Sequence, residues 1–362
     1  MKESKEKIQI IIAGLVIGVI AAVLVVLGNP KNMGFCIACF IRDTAGALKL
    51  HQAAAVQYIR PEILGIVLGS FLLSVVKKEF SPRGGSSPMT RLLLGFTAMV
   101  GCLMFLGCPF RMILRLAGGD LNAILGLVGF AAGIGCGVIY LKRGYSLKRT
   151  YKQPVPEGST APSITVILLI MLLSLPSMLA FTKAGGGPGG MHAAVWISLL
   201  AGIIVGGLAQ RTRLCMVGGI RDAILFKEFK LLLGFAAIFA AALVTNLILT
   251  ATSGSYFTLG FDKQPVAHND ALWNALGMLL AGFACVLLGG CPLRQLVLAG
   301  EGNTDSALTV TGLMLGAAFA HNFGLASSAD GPTYKGKIAV IIGIAVVILI
   351  GECNIASNRK KG

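Results

Sequence analysis

Charge is what this chain has least of. Asp, Glu, Lys and Arg make up only 13% of its 362 residues, and just 15 residues are acidic. A soluble domain carries about a quarter charged residues. With 55% hydrophobic residues and a mean hydropathy of +0.81, the deficit excludes a soluble protein and points to an integral membrane protein. Histidine is scarce too, at four residues, and no methionine run occurs, so a soft-metal carrier lacks its ligands. Nucleotide machinery is missing as well. GPTYKGK at 331–337 imitates the start of a phosphate loop, but it lacks the Ser/Thr and follows no strand. No metal, cofactor or catalytic set is expected, and the chain is not read as an enzyme. No small-residue cleavage site follows the first apolar run, so that run reads as a retained span.

What is present is basic. Lys and Arg number 31, for a net charge of +16. In a soluble protein such a balance suggests nucleic acid. In a membrane chain it marks cytoplasmic loops, and no nucleic-acid partner is expected. Ten apolar segments, roughly 9–28, 61–76, 92–107, 121–141, 162–182, 192–210, 231–252, 270–290, 306–322 and 337–352, approach the length that crosses about 30 Å of hydrocarbon. With the N-terminus inside, 19 basic residues fall on the cytoplasmic side, from Lys2 to the tail Arg359, Lys360 and Lys361, and 7 fall outside. That asymmetry predicts both termini in the cytoplasm of a bacterial inner-membrane protein.

A motif is written twice. CIACFIRD at 36–43 returns as CMVGGIRD at 215–222, an offset of 179. GCPFRMILRLAGG near 107–119 returns as GCPLRQLVLAG at 290–300, aligning Cys102 with Cys285, Cys108 with Cys291 and Arg111 with Arg294 at an offset of 183. Two motifs in one order at nearly one offset predict a duplicated four-span unit. The odd segment at 162–182 makes the second unit start on the opposite face, so the repeats are inverted. The expected organisation is a first unit over 1–150, a connecting span and outer loop over 151–190, an inverted unit over 191–330, and a last helix with basic tail over 331–362.

Each repeated cysteine opens a stretch too short to span: 36–50, 108–117, 215–227 and 291–300. Irregular backbone survives at membrane depth only where it lines a protein cavity. Four re-entrant elements are therefore expected, giving an all-α fold of about ten transmembrane helices plus four short ones. The Cys-Pro steps place Cys108 and Cys291 at helix starts, since proline suits the first turn and its predecessor avoids helical geometry. Helix N-termini offer amide N–H groups and positive dipole ends to an anion. A neutral thiol adds a weak S–H donor for a soft sulfur or selenium atom. Cys36, Cys108, Cys215 and Cys291 are thus the candidate substrate path. Arg111 and Arg294, three residues after their cysteines, are candidates to draw anions in, against the blander reading of structural pairing. Arg42-Asp43 and Arg221-Asp222 read as structural pairs. Cys102 and Cys285 are secondary candidates, and so is Cys39, which has no repeat partner but completes a CxxC.

GNPKNMGFCIACFIRD, RGGSSP and GCPFRMILRLAGGDLNA closely resemble the YeeE/YedE membrane family, and within it the branch described as selenium transporters. The resemblance implies an hourglass-shaped helical protein with inverted halves. It implies uptake of thiosulfate or a selenium species past central cysteines, which here match Cys108, Cys291 and Cys215, with Cys36 at the symmetric position. It also implies a soluble SirA/TusA-like sulfurtransferase as a cytoplasmic partner beside the bilayer itself. Cys39 departs from that pattern. The rival reading is a membrane thiol redox protein conducting reducing equivalents through paired cysteines.

Overall fold

The computed structural model describes residues 2–359. Met1 and residues 360–362, including Lys360 and Lys361 of the basic tail, lie outside the described residues. The ordered elements are almost all helical. In the first half they are α1 (Lys2–Val26), α2 (Ile37–Ala47), α3 (Pro61–Val76), α4 (Pro88–Phe105), α5 (Pro109–Ala117) and α6 (Asn122–Lys142). A short turn α7 (Val155–Gly158) and α8 (Thr160–Ser174) follow. The second half holds α9 (Val195–Thr212), α10 (Met216–Phe226), α11 (Lys230–Thr252), α12 (Ala271–Leu288), α13 (Pro292–Gly300), α14 (Thr304–Asn322) and α15 (Tyr334–Arg359). A two-residue ribbon, β1 (Arg83–Gly84) against β2 (Tyr151–Lys152), ties two connecting loops together.

Proline sets several helix starts. Pro61, Pro88, Pro109 and Pro292 each occupy the first turn of α3, α4, α5 and α13, where a missing N–H costs nothing. Proline also sets an end. Leu175 precedes Pro176 and leaves helical geometry (φ −131°, ψ 49°), so α8 stops at Ser174 instead of continuing to 182. The segment still runs the full length of α3. Its start lies against Pro82, and beyond its end Ala180 donates to the Ala47 carbonyl and Thr182 to that of Gln57.

Among the described residues eight helical stretches are long and apolar enough to cross a membrane, and Thr160–Ser174 is a shorter apolar helix. The sequence expectation of an all-α membrane protein therefore holds. The ninth expected span, α14, carries Asp305 and His321 and packs along α4.

Small residues let the backbones meet, as helices in lipid require. On α1 and α11, Gly14 faces Gly234 and Gly18 faces Ile238; on α3 and α9, Gly65 faces Leu199 and Gly69 faces Ile203. On α4 and α14, Leu92 faces Gly312 and Phe96 faces Gly316; on α6 and α12, Gly129 faces Ala275 and Gly133 faces Leu279. In each pair both numbers rise together, so the partners run parallel. The end of α1 meets the starts of α3 and α9, because Asn29 Nδ2 donates to Glu62 (2.8 Å) and Ala193 N–H donates to Asn29 (2.9 Å). α1 thus runs opposite to α9. Exchanging the two halves turns each packed pair into another: α1 with α11 becomes α9 with α3, α6 with α12 becomes α14 with α4, and α5 with α11 becomes α13 with α3.

Candidate functional site

The four short helices α2, α5, α10 and α13 begin at Cys36, Cys108, Cys215 and Cys291. Each cysteine is the residue before the helix and has extended backbone geometry, with φ of −133°, −83°, −155° and −71°. The breaks that precede the Cys-Pro steps are left-handed. Leu106 ends α4 at φ 60°, and at the matching offset Gly289 ends α12 at φ 85°. Glycine takes that conformation freely, whereas leucine does so at a cost of about 1–2 kcal/mol.

The sulfur atoms face amide N–H groups. Cys36 Sγ accepts from Cys39 N–H (3.4 Å), and Cys215 Sγ accepts from Gly218 N–H (3.3 Å), the same cap three residues on in each copy of the motif. Cys215 Sγ also accepts from the Cys291 N–H (3.5 Å). The amides of Ala38 and Arg111 point at Cys108, and that of Arg294 points at Cys291. Tertiary packing then joins the thiols two by two. Cys36 meets Cys108 and Cys215 meets Cys291, each pair within hydrogen-bonding reach, and Cys39 lies within the same reach of Cys36. Cys102 on α4 and Cys285 on α12 are both buried and within electrostatic reach of one another. Cys39 Sγ reaches the Leu106 carbonyl (3.9 Å) and lies 3.8 Å from Arg111. Cys136 and Cys353 stand apart, half-buried and exposed.

The two pairs differ in cover. Cys36 and Cys108 are 0% and 1% exposed, and the neighbouring Arg42-Asp43 pair is sealed. Cys215 and Cys291 are 5% and 3% exposed, Gly289 beside them faces open space, and Arg221-Asp222 is only partly buried. The arginines diverge likewise. Arg111 is fully buried, and its guanidinium donates to the carbonyls of Asn32 (3.2 Å), Pro265 (3.3 Å), Val266 (3.2 Å) and Leu106. Arg294 makes one ion pair, to Glu301 at 3.1 Å, and keeps 14% of its side chain exposed. Both Arg-Asp pairs read from the sequence as structural do form, at 2.6 Å for Arg42-Asp43 and 2.8 Å for Arg221-Asp222.

Residues 211–355 match the family described as sulphur transport. A relative over part of the chain is the "Thiosulfate transporter TsuA" of Spirochaeta thermophila, 31% identical over 115 residues, which is 31% of this chain and 32% of that protein. Both similarities are to sulphur-transport proteins, and each covers less than half of the chain. The matched residues run from the end of α9 into α15 and contain Cys215, Cys285, Cys291 and Arg294; Cys36, Cys108 and Arg111 precede them. The aligned segment spans about a third of the length of the curated relative.

Three features of the chain escaped the sequence reading. Arg60 is fully buried and bonds Asp43 (2.8 Å), so Asp43 is shared by two arginines. Arg115 and Asp120 form a sealed ion pair at 2.6 Å. Glu62 is a buried carboxyl with no cation on it among the described residues. The signal for Glu62 was present, as the one acidic residue at the head of the short apolar segment 61–76.

Proposed function

We propose that the chain moves a small soft anion, thiosulfate or a selenium species, inward through a path lined by Cys36, Cys108, Cys215 and Cys291. The observation that carries this reading is the convergence of short-helix amides on two thiol pairs deep inside the helical body. Amides and neutral thiols are weak donors. A series of weak sites suits transport, because each must be left as easily as it is reached. Pairing of Cys36 with Cys108 and of Cys215 with Cys291 supports two stations, one occluded and one less covered, along a single route. In this reading the helix directions follow from two inverted units, 1–150 and 191–330, linked by 151–190 and closed by the helix and tail of 331–362. The excess of basic residues in one set of loops supports both termini lying in the cytoplasm of a bacterial inner-membrane protein, where a SirA/TusA-like sulfurtransferase receives the anion.

The contact between thiols within each pair also favours a second reading, in which each pair cycles between dithiol and disulfide and passes two electrons to an acceptor. Uptake separates the two. Purified protein in liposomes is offered labelled thiosulfate, with unlabelled selenite and sulfate as competitors. Transport predicts saturable uptake that thiosulfate or selenite blocks and sulfate does not, and a loss of about tenfold or more (~1.4 kcal/mol) in Cys291→Ala. Indifference to all three anions overturns it.

A further inference from the structure

Glu62 is the most unusual ionisable group outside the thiol path. It is 0% exposed. Its Oε1 accepts two hydrogen bonds, from Asn29 Nδ2 (2.8 Å) and Ser198 Oγ (3.0 Å). The Asn29 amide is fixed in that orientation because its oxygen accepts from Ala193 N–H (2.9 Å). Among the described residues Oε2 has no hydrogen-bond partner, and the buried hydroxyl of Tyr58, within electrostatic reach of Glu62, has none either. The charged and titratable groups around it are Tyr58, Arg60, Asp43 and His192. Arg60 is the nearby cation, and it is fully committed elsewhere: to Asp43 (2.8 Å), Pro188 O (2.6 Å) and Met191 O (2.9 Å).

An ionised carboxylate out of water and without a cation costs several kcal/mol. A carboxylic acid fits the contacts better: one oxygen accepts twice as a carbonyl, and the other, which accepts from no donor among the described residues, carries the proton. The start of α3 pulls the other way, since Glu62 sits in the first turn, where the helix dipole favours negative charge. A site that must load and release a proton needs such opposed influences. Tyr58 stacks flat on the exposed ring of His192, at 4.1 Å between centroids and 6° between planes.

We infer that Glu62 binds a proton, and that its occupancy is coupled to movement of the anion. The coupling rests on the transport reading above; the bound proton does not. The connection to the thiols is short. Asn29 Nδ2 bonds both Glu62 and the carbonyl of Gly34 (3.3 Å), two residues before Cys36. Ser198 belongs to α9, so the junction also joins the two halves. At the matching offset in the second half the chain places Ala241 against Gly18, with no ionisable group. The proton site is therefore built once, beside the covered thiol pair. An inward proton offsets the charge of an anion that would otherwise enter against a negative interior.

Two measurements test this. Glu62→Gln keeps an oxygen for Asn29 and Ser198 and should fold, as gel filtration and circular dichroism will check. The first measurement is infrared difference spectroscopy of the purified protein between acid and alkaline pH. A protonated-carboxyl stretch present in the native protein and absent from Glu62→Gln is expected; identical spectra overturn the proton site whatever the protein carries. The second compares thiosulfate exchange between equal pools with uptake driven by acid outside. The native protein should show several-fold stimulation by the gradient, and Glu62→Gln should exchange thiosulfate but lose that stimulation. Retained stimulation in the variant, or stimulation of the native protein by a sodium gradient in place of acid, refutes the coupling. If the native protein moves no thiosulfate in either mode, the transport reading fails, while the infrared band still decides the proton site.

Discussion

Replacing Arg111 by lysine separates two roles that its position allows. The substitution keeps the charge and most of the length but loses the planar fork. In the structure that fork holds four carbonyls from three separate segments: Asn32 after α1, Leu106 at the break between α4 and α5, and Pro265 and Val266 before α12. A charge-assisted hydrogen bond contributes about 1.5–3 kcal/mol, and an abandoned buried carbonyl costs about 1–3 kcal/mol. An ammonium has three donors on one nitrogen and cannot span all three segments. Leaving one or two carbonyls bare should cost about 2–4 kcal/mol. The left-handed turn at Leu106 also loses the guanidinium that holds its carbonyl. Unfolding in mixed micelles with increasing dodecyl sulfate measures the loss. Arg294→Lys is the control. Arg294 has one partner, Glu301, and remains partly exposed, so its substitution should stay within about 1 kcal/mol of the native protein. In liposomes Lys should support uptake at 294 and fail at 111. An Arg111→Lys protein as stable as the native one, within about 0.5 kcal/mol, refutes the idea that this side chain is a brace, and leaves attraction of anions as its role.

Mild oxidation with copper phenanthroline should give disulfides Cys36–Cys108 and Cys215–Cys291, read by peptide mass mapping; a dominant Cys108–Cys291 product would contradict the observed pairing. Gly65→Val should destabilise by about 1–3 kcal/mol or more in the same micelle assay, because its Cβ would lie 2.8 Å from Gly202 Cα on α9. Gly289→Ala meets no atom within 4 Å, so it should cost only the left-handed strain at φ 85°, about 1–2 kcal/mol, and a larger loss would mean that the open space beside it is filled.

The sequence by itself determined the class of the protein and the places where its helices break. Those are local properties: the length of an apolar run decides whether it can cross lipid, and a Cys-Pro step decides where a short helix starts. The duplicated motif also announced that Cys36 and Cys215, and Cys108 and Cys291, are equivalent. Equivalence is not contact. The tertiary fold, by bringing the starts of α2 and α5 and the starts of α10 and α13 together, decided that the thiols meet as Cys36 with Cys108 and Cys215 with Cys291. It also sealed Arg111 behind the 264–266 loop while leaving its counterpart Arg294 partly open. Glu62 shows the limit most plainly. Its place at the head of a short segment was visible, but its isolation from every cation depends on Arg60 turning to Asp43 and the 188–191 carbonyls. Several of these partners, Pro188, Met191 and Ser198 among them, lie more than a hundred residues away along the chain, so only the tertiary structure could supply them.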